Sequence, residues 1–223
     1  MTAFALVSEE GYKPMSRISV PKNKQARREG VDLSLKTPGT KSHARLLKRL
    51  NVLPGNKTTR KFRGKMSEYG KQLREKQKLK RIYVLTESKM ARYFREAVAR
   101  KGNSILFLIQ SLELRLDNVV YRAGLAPTRN AARQLVSHGH VTVNGKKITI
   151  PSYPVNADMR IAFGRAESYE IPYIKQLMED KNRFMVDWLD RSDKEATVKS
   201  LPSQESYAEP VDMSLVIEFY SKL

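Results

Sequence analysis

Cysteine is absent from all 223 residues, so neither a disulfide nor a cysteine-held zinc can brace this chain, and a reducing compartment suits it. Long apolar runs are missing too. No stretch approaches the roughly 18 residues that a membrane span requires, so no membrane partner is expected. Residues 1–14, MTAFALVSEEGYKP, lack the basic start and long apolar stretch of a signal peptide, and Glu9 and Glu10 argue against an organellar leader. The expected location is the cytoplasm. Acidic residues are scarce where basic ones are dense: residues 1–111 hold 27 Lys/Arg against 8 Asp/Glu, whereas residues 112–223 hold 15 of each. The first half thus carries the whole formal charge of +19, a field that attracts polyanions before any specific contact forms. Within the second half, residues 112–165 carry +5 and residues 166–223 carry −5, which points the tail away from phosphate. No Gly-rich phosphate loop, metal-ligand cluster or nucleophile–base set stands out, so neither an enzyme nor a cofactor is expected.

What is present is densest between Arg115 and Pro151, RLDNVVYRAGLAPTRNAARQLVSHGHVTVNGKKITIP. Leu112, Leu116, Val119, Val120 and Ala123 follow one face of a helix, which leaves Arg115 and Arg122 off the apolar stripe and in water. Thr128 stands where an N-cap belongs, Ala131, Ala132, Leu135 and Val136 supply a second apolar face, and Gly139 follows as terminator. Val141 and Val143 then alternate with polar residues. Asn144-Gly145 supplies the positive φ angles of a two-residue type I′ turn, and Ile148 and Ile150 alternate on the return. Two short helices and a hairpin studded with cations have the shape of a small RNA-gripping module.

The amino-terminal part reads differently. Residues 13–81 contain 22 Lys/Arg and 4 Asp/Glu, broken by Pro and Gly, a composition that buries little on its own. Leu46, Leu47, Leu50 and Leu53 nevertheless repeat at helical spacing, so partial order on RNA is expected over residues 36–66. Ser67 opens a helix through Arg81, with Tyr69, Leu73 and Leu79 inward and Arg74, Lys76, Lys78 and Lys80 outward. Ser88 caps another, with Ala91, Phe94 and Val98 on one face and Gly102 closing it. A shorter helix covers Ile105 to Leu112. After the module, Met159 to Phe163 reads as a strand and Ile171 to Leu189 as a helix, while Met213 to Tyr220 fits strand or helix equally. The expected fold is α+β and mainly helical: a disordered extension (1–14), a basic arm (15–66), a helical lobe (67–111), an inserted RNA-binding lobe (112–165) of two helices on a short antiparallel sheet, and a C-terminal segment (166–223) packing back on the helical lobe.

The strings ARREG (26–30), SEYGKQLREKQKLKRIY (67–83), RLDNVVYRAG (115–124), ARQLVSHGHVTVNGKKITIPSY (132–153) and IEFYSK (217–222) resemble, in order and spacing, the bacterial-type fourth protein of the small ribosomal subunit. The likeness runs from Met15 almost to the C-terminus. It implies an RNA-binding lobe of the alpha-L type in a primary binder of 16S ribosomal RNA. It also implies nucleation of the body of the small subunit, contact with the fifth small-subunit protein, a part in translational accuracy, and a place near the mRNA entry channel. Two departures stand out. Relatives that hold zinc in the arm use cysteines, and His43 cannot replace them, since structural zinc needs about four ligands. Where many relatives carry Pro-Gly-Gln-His-Gly, this chain has Pro54-Gly55-Asn56-Lys57-Thr58, so no base contact by that histidine carries over.

Folded RNA is recognised by shape through phosphates and 2′-hydroxyls, a task for spread cations. In the module the candidate contacts are Arg115, Arg129, Arg133, His138, Lys146 and Lys147, with Arg129 near a helix N-terminus where free amides also favour phosphate. In the arm and helical lobe they are Arg27, Arg28, Arg45, Arg60, Lys61, Arg63, Arg74, Lys76, Lys78 and Arg81, taken collectively. Two other readings compete. The RLD of Arg115 to Asp117 is similar to the catalytic aspartate motif of pseudouridine synthases, but Asn118-Val119-Val120-Tyr121 does not continue it, and a helix-surface ion pair with the Arg115 neighbourhood or Arg122 suits Asp117 better. A freestanding RNA chaperone would share charge and module, and the flanking sequence speaks against it.

Overall fold

The computed structural model of the chain describes residues 21–55, 66–179, 186–192 and 195–222. Five helices open it: α1 (Lys22–Glu29), α2 (Lys41–Leu47), α3 (Glu68–Ile82), α4 (Glu87–Ala99) and α5 (Ser104–Glu113). Their starts are chemically specified. The side chains of Thr40, Ser67 and Asn103 accept hydrogen bonds from backbone N–H groups of the first turns of α2, α3 and α5. α4 begins at Glu87, one residue before the expected Ser88 cap, and neither Thr86 nor Ser88 caps it through a side chain. Leu79, Ile82, Met90, Phe94, Leu108 and Leu112 from these helices form a first core.

The helix expected to run from Leu112 through Ala123 is broken instead. α5 stops at Glu113 and α6 (Leu116–Arg122) starts afresh, because the extended segment after the hairpin inserts itself at the joint. Leu116 N donates to Tyr153 O, Asp117 N to Pro151 O, and Val155 N to Leu114 O. These bonds replace helical ones. After α6 come α7 (Arg129–Ser137), β1 (Val141–Val143), β2 (Lys146–Lys147) and β3 (Arg160–Phe163). Thr128 caps α7 through Ala131 N, and the turn between β1 and β2 has φ of 49° at Asn144 and 77° at Gly145, as the Asn-Gly pair predicts. Asn144 also ties the turn to β3. Its Oδ1 accepts from Arg160 N, and its own N donates to Arg160 O. The return strand is shorter than expected and ends before Ile148.

The C-terminal segment divides between two lobes. α8 (Pro172–Glu179) covers the first part of the helix expected from Ile171 to Leu189, but residues 186–188 are not helical and Leu189 begins β4 (Leu189–Arg191). β5 (Glu195–Val198) follows, and the antiparallel sheet has the order β2-β1-β3-β5-β4, with Ile161 opposite Ala196 and Leu189 opposite Val198. A second core under this sheet joins Leu116, Val120, Leu135, Val141, Ile161 and Trp188. α9 (Met213–Ser221) resolves the ambiguous last run as helix, capped by Asp212, and lies against α3, α4 and α5. Its Phe219 and Tyr220 close the first core. Residues 166–223 therefore do not pack on the helical lobe alone. β4 and β5 pair with the module's own strand, so its sheet extends past residue 165.

Several side chains sit opposite to the expected side. Tyr69 is 60 % exposed, with its ring 5.7 Å from that of Phe219, and Val98, Leu47 and Leu53 are exposed. α4 instead buries Met90, Tyr93, Phe94 and Ala97, a face turned from the expected one. Lys76, expected outward, is buried. Its ammonium meets Glu87 at 2.8 Å and lies 4.7 Å from the Phe219 ring centroid, so α9 covers it. The expected disorder of residues 1–14 falls outside the described residues.

Candidate nucleic-acid interface

The cations of the chain divide into those that the fold consumes and those that it leaves outside. The first group meets where α5, α6 and α7 converge. Arg122 grips Glu113 with two hydrogen bonds, Nε to Oε2 at 3.0 Å and Nη2 to Oε1 at 2.8 Å. Tyr83 donates its hydroxyl to Glu113 and Asn118 donates its amide, so the buried carboxylate is surrounded by donors. Burial pushes the Glu113 carboxyl up, but Arg122 above all, with Arg129 and Tyr83, overcomes this and holds it below the ordinary carboxylate range. Arg129 donates Nε to Asn118 Oδ1 at 2.7 Å and Nη2 to Glu209 Oε1 at 2.5 Å, and Glu209 also receives Arg122 at 2.9 Å. The Arg129 guanidinium lies 4.8 and 4.5 Å from the ring centroids of Tyr83 and Tyr121, a double cation–π contact.

Arg115 is built in likewise. Only 2 % exposed, it forks onto Asp117 with Nε to Oδ1 at 3.0 Å and Nη2 to Oδ2 at 2.6 Å, while Nη1 donates to the Tyr93 hydroxyl at 2.6 Å. The expectation that Arg115 and Arg122 stay wet is therefore corrected. Arg115 and Arg129, both expected among the RNA contacts, are buried, at 2 % and 4 % exposure. Each carries a charge already paired within the fold, Arg115 with buried Asp117 and Arg129 with Glu209. Asp117 has the ion-pair role expected of it, with Arg133 Nη1 as a second partner at 3.7 Å.

In the helical lobe, Arg81 and Arg74 both pair with Glu29, whose side chain is 1 % exposed; the Arg74 contact measures 3.4 Å. Burial, reinforced by the nearby charge of Arg28, holds both guanidiniums below their ordinary range. Arg27 clamps the turn after α2, donating to the carbonyls of Val52 at 2.7 Å and Leu53 at 3.0 Å, and Lys78 pairs with Glu75 at 2.6 Å. His43 meets Asp32 at 2.7 Å. Arg60, Lys61 and Arg63 lie outside the described residues.

The second group is exposed. Lys146 and Lys147 stand on β2, His138 at the end of α7, and Arg28 and Arg45 on the arm, while Arg133 is partly exposed. The His138 ring stacks 6.5 Å from His140, which is itself held to Ser168 Oγ at 2.9 Å. Lys147 folds back over Gly139, whose φ of 73° and missing Cβ admit its methylene stem. Composition alone gave no reason to single out Arg160 and Arg165 beside the hairpin, or Arg92, Arg95, Arg100 and Lys101 in and after α4, yet all are exposed. A helical wheel of α4 centred on Met90, Tyr93, Phe94 and Ala97 would have found Arg92 and Arg95 on its wet face.

Residues 17–113 match the ribosomal protein S4/S9 N-terminal domain, and residues 114–161 match the S4 domain. The border between the two matches falls on the joint between α5 and α6. The chain is 42 % identical over 210 residues to the small ribosomal subunit protein uS4 of Dichelobacter nodosus, and equally so to that of Pseudomonas aeruginosa. It is 44 % identical over 213 residues to that of Herpetosiphon aurantiacus, and each alignment covers 93 % of this chain and the whole of the relative. Matching in both of its domains and along nearly its whole length, this chain belongs to the small ribosomal subunit protein uS4 family.

Proposed function

We propose that this chain binds 16S ribosomal RNA directly and early, nucleating assembly of the body of the small subunit. As a family member it is a structural, non-enzymatic component of the small ribosomal subunit in the cytoplasm, with ribosomal RNA and ribosomal proteins as partners. The observation that carries the reading is the division of cations. The fold neutralises Arg115, Arg122 and Arg129 internally, yet leaves Lys146 and Lys147 of β2, Arg160 at the start of β3 and Arg165 just beyond it exposed. Exposed cations on a rigid sheet supply phosphate contacts at fixed spacing, and the arm adds charge that steers association.

Contact with the fifth small-subunit protein, a part in accuracy and proximity to mRNA at the entry channel rest on the family resemblance. A filter-binding titration with a transcript of the 5′ domain of 16S RNA tests the main reading. Affinity should fall linearly on a log–log plot against salt, with a slope reporting the phosphates contacted. Affinity no higher than for an unrelated transcript of equal length would overturn it.

A further inference from the structure

Between the two lobes, four cations converge on few carboxylates. Arg115 and Arg133 share the carboxylate of Asp117, at 2.6 and 3.7 Å. From the other lobe, Tyr93 of α4 reaches across to accept Arg115 at 2.6 Å, and Arg92 lies 5.7 Å from the Tyr93 ring centroid. Lys89 lies one helical turn before Tyr93, on the same side of α4. Its ammonium is held below the ordinary lysine range by burial first, and then by the charges of Arg133, Arg115 and Arg92, which together outweigh the pull of Asp117. Glu96, two helical turns beyond Lys89 along α4, meets Arg92 at 3.4 Å. Like charges held together by a rigid fold are costly, and a polyanion repays that cost on binding.

We propose that Lys89 of α4 and Arg133 of α7 form one seat for a single RNA backbone phosphate at the seam of the two lobes, with buried Arg115 and Asp117 as its floor. The seat rests on the RNA-binding reading above and gives it a specific geometry. One phosphodiester touches both lobes at once. Arg115 contributes field rather than contact, and Asp117 positions Arg133 through their ion pair. A strand held here fixes the S4 lobe against α4, so that shape recognition spans the seam.

Ethylation interference on a transcript of the 5′ domain of 16S RNA tests the seat, using wild type, Lys89→Met and Arg133→Met, with Lys89→Arg as the charge-conserving control and circular dichroism to verify folding. Ethylation neutralises one phosphate at a time. The expected result is one backbone position, or two adjacent ones, at which ethylation blocks wild-type binding and ceases to matter in both methionine variants, while Lys89→Arg keeps the wild-type pattern. Each methionine variant should also lower the salt slope by about one unit, and the pair combined by no more than about one. Relief at different positions in the two variants, or at none, would overturn the seat and leave general RNA binding intact. Failure of the wild type to bind would overturn the RNA-binding reading and the seat together.

Discussion

Arg129 and Glu209, 80 residues apart in sequence, share a charge-assisted hydrogen bond of 2.5 Å that ties the S4 lobe to the segment leading into α9. The arginine sits between two aromatic rings and also serves Asn118, so its guanidinium is spent on the fold. Replacing it with methionine leaves Glu209 and Asn118 underpaired in a dry site. Arg129→Met should lower unfolding free energy by about 3 kcal/mol, as breaking a buried pair commonly does. Urea denaturation measures this, and a loss within about 0.5 kcal/mol of zero would show the pair to be idle.

Lys146 and Lys147 make the opposite case, since both are exposed on β2. Replacing both with alanine should leave the melting temperature within about 1 °C of wild type, because exposed charges contribute little to stability. RNA affinity should fall, with the salt slope lowered by about one unit for each phosphate that the hairpin no longer grips. An unchanged slope would remove the hairpin from the interface.

Glu87 supplies a pH signature. Burial pushes its carboxyl up, but hydrogen bonds from Lys76, Lys80 and Tyr220 outweigh this and hold it at about 2, against an ordinary value of 4.5. A carboxylate depressed in the folded state contributes stability that is fully present above its unfolded value and lost as pH falls toward the folded one. The α4–α9 contact should therefore weaken between about pH 4.5 and pH 2. Glu87→Gln should flatten stability against pH across that window and, by leaving buried Lys76 without its anion, cost about 1 to 2 kcal/mol at pH 7. Chemical denaturation at a series of pH values gives both numbers.

Gly139 closes α7 with a φ of 73°, and a Cβ there would lie 2.1 Å from Lys147 Cε. Gly139→Ala should cost about 1 to 2 kcal/mol from left-handed backbone strain and also push the lysine stem off the glycine. Thermal melting reads the first effect. Altered RNA protection near the hairpin reads the second, and an unchanged melting temperature would refute the strain argument.

Features set by neighbours in sequence were legible from the chain alone. Asn144-Gly145 had to be a tight turn because few other pairs accept two positive φ angles, and Ser67 and Thr128 announced helix starts through caps that bond within three residues. That Asp117 would pair with a nearby arginine was readable. The sequence left Arg115 and Arg122 both open, however, and put the pair on the helix surface, whereas the pair formed with Arg115 is buried. Burial of Arg122 and Arg129 was not legible, because periodicity places any cation off an apolar stripe in water. What reverses that is Glu113 for Arg122 and, for both arginines, Glu209, which lies 87 residues beyond Arg122 and 80 beyond Arg129. The break between α5 and α6 was hidden for the same reason: the bonds that end the helix come from residues 151–155, and no breaker residue marks the site.

The division of the C-terminal segment also orders events in time. β5 at Glu195–Val198 completes the sheet of a lobe begun at Leu116, and α9 at Met213–Ser221 completes a core begun at Ala26. As the chain is made from its amino end, both lobes wait for segments synthesised late, and neither can close its core while those residues are still being added. Folding of this chain thus depends on long-range closures, which are slow relative to local helix formation. Until those closures occur, the basic arm is exposed on an unfinished protein, and polyanions can meet it before its own lobes have formed.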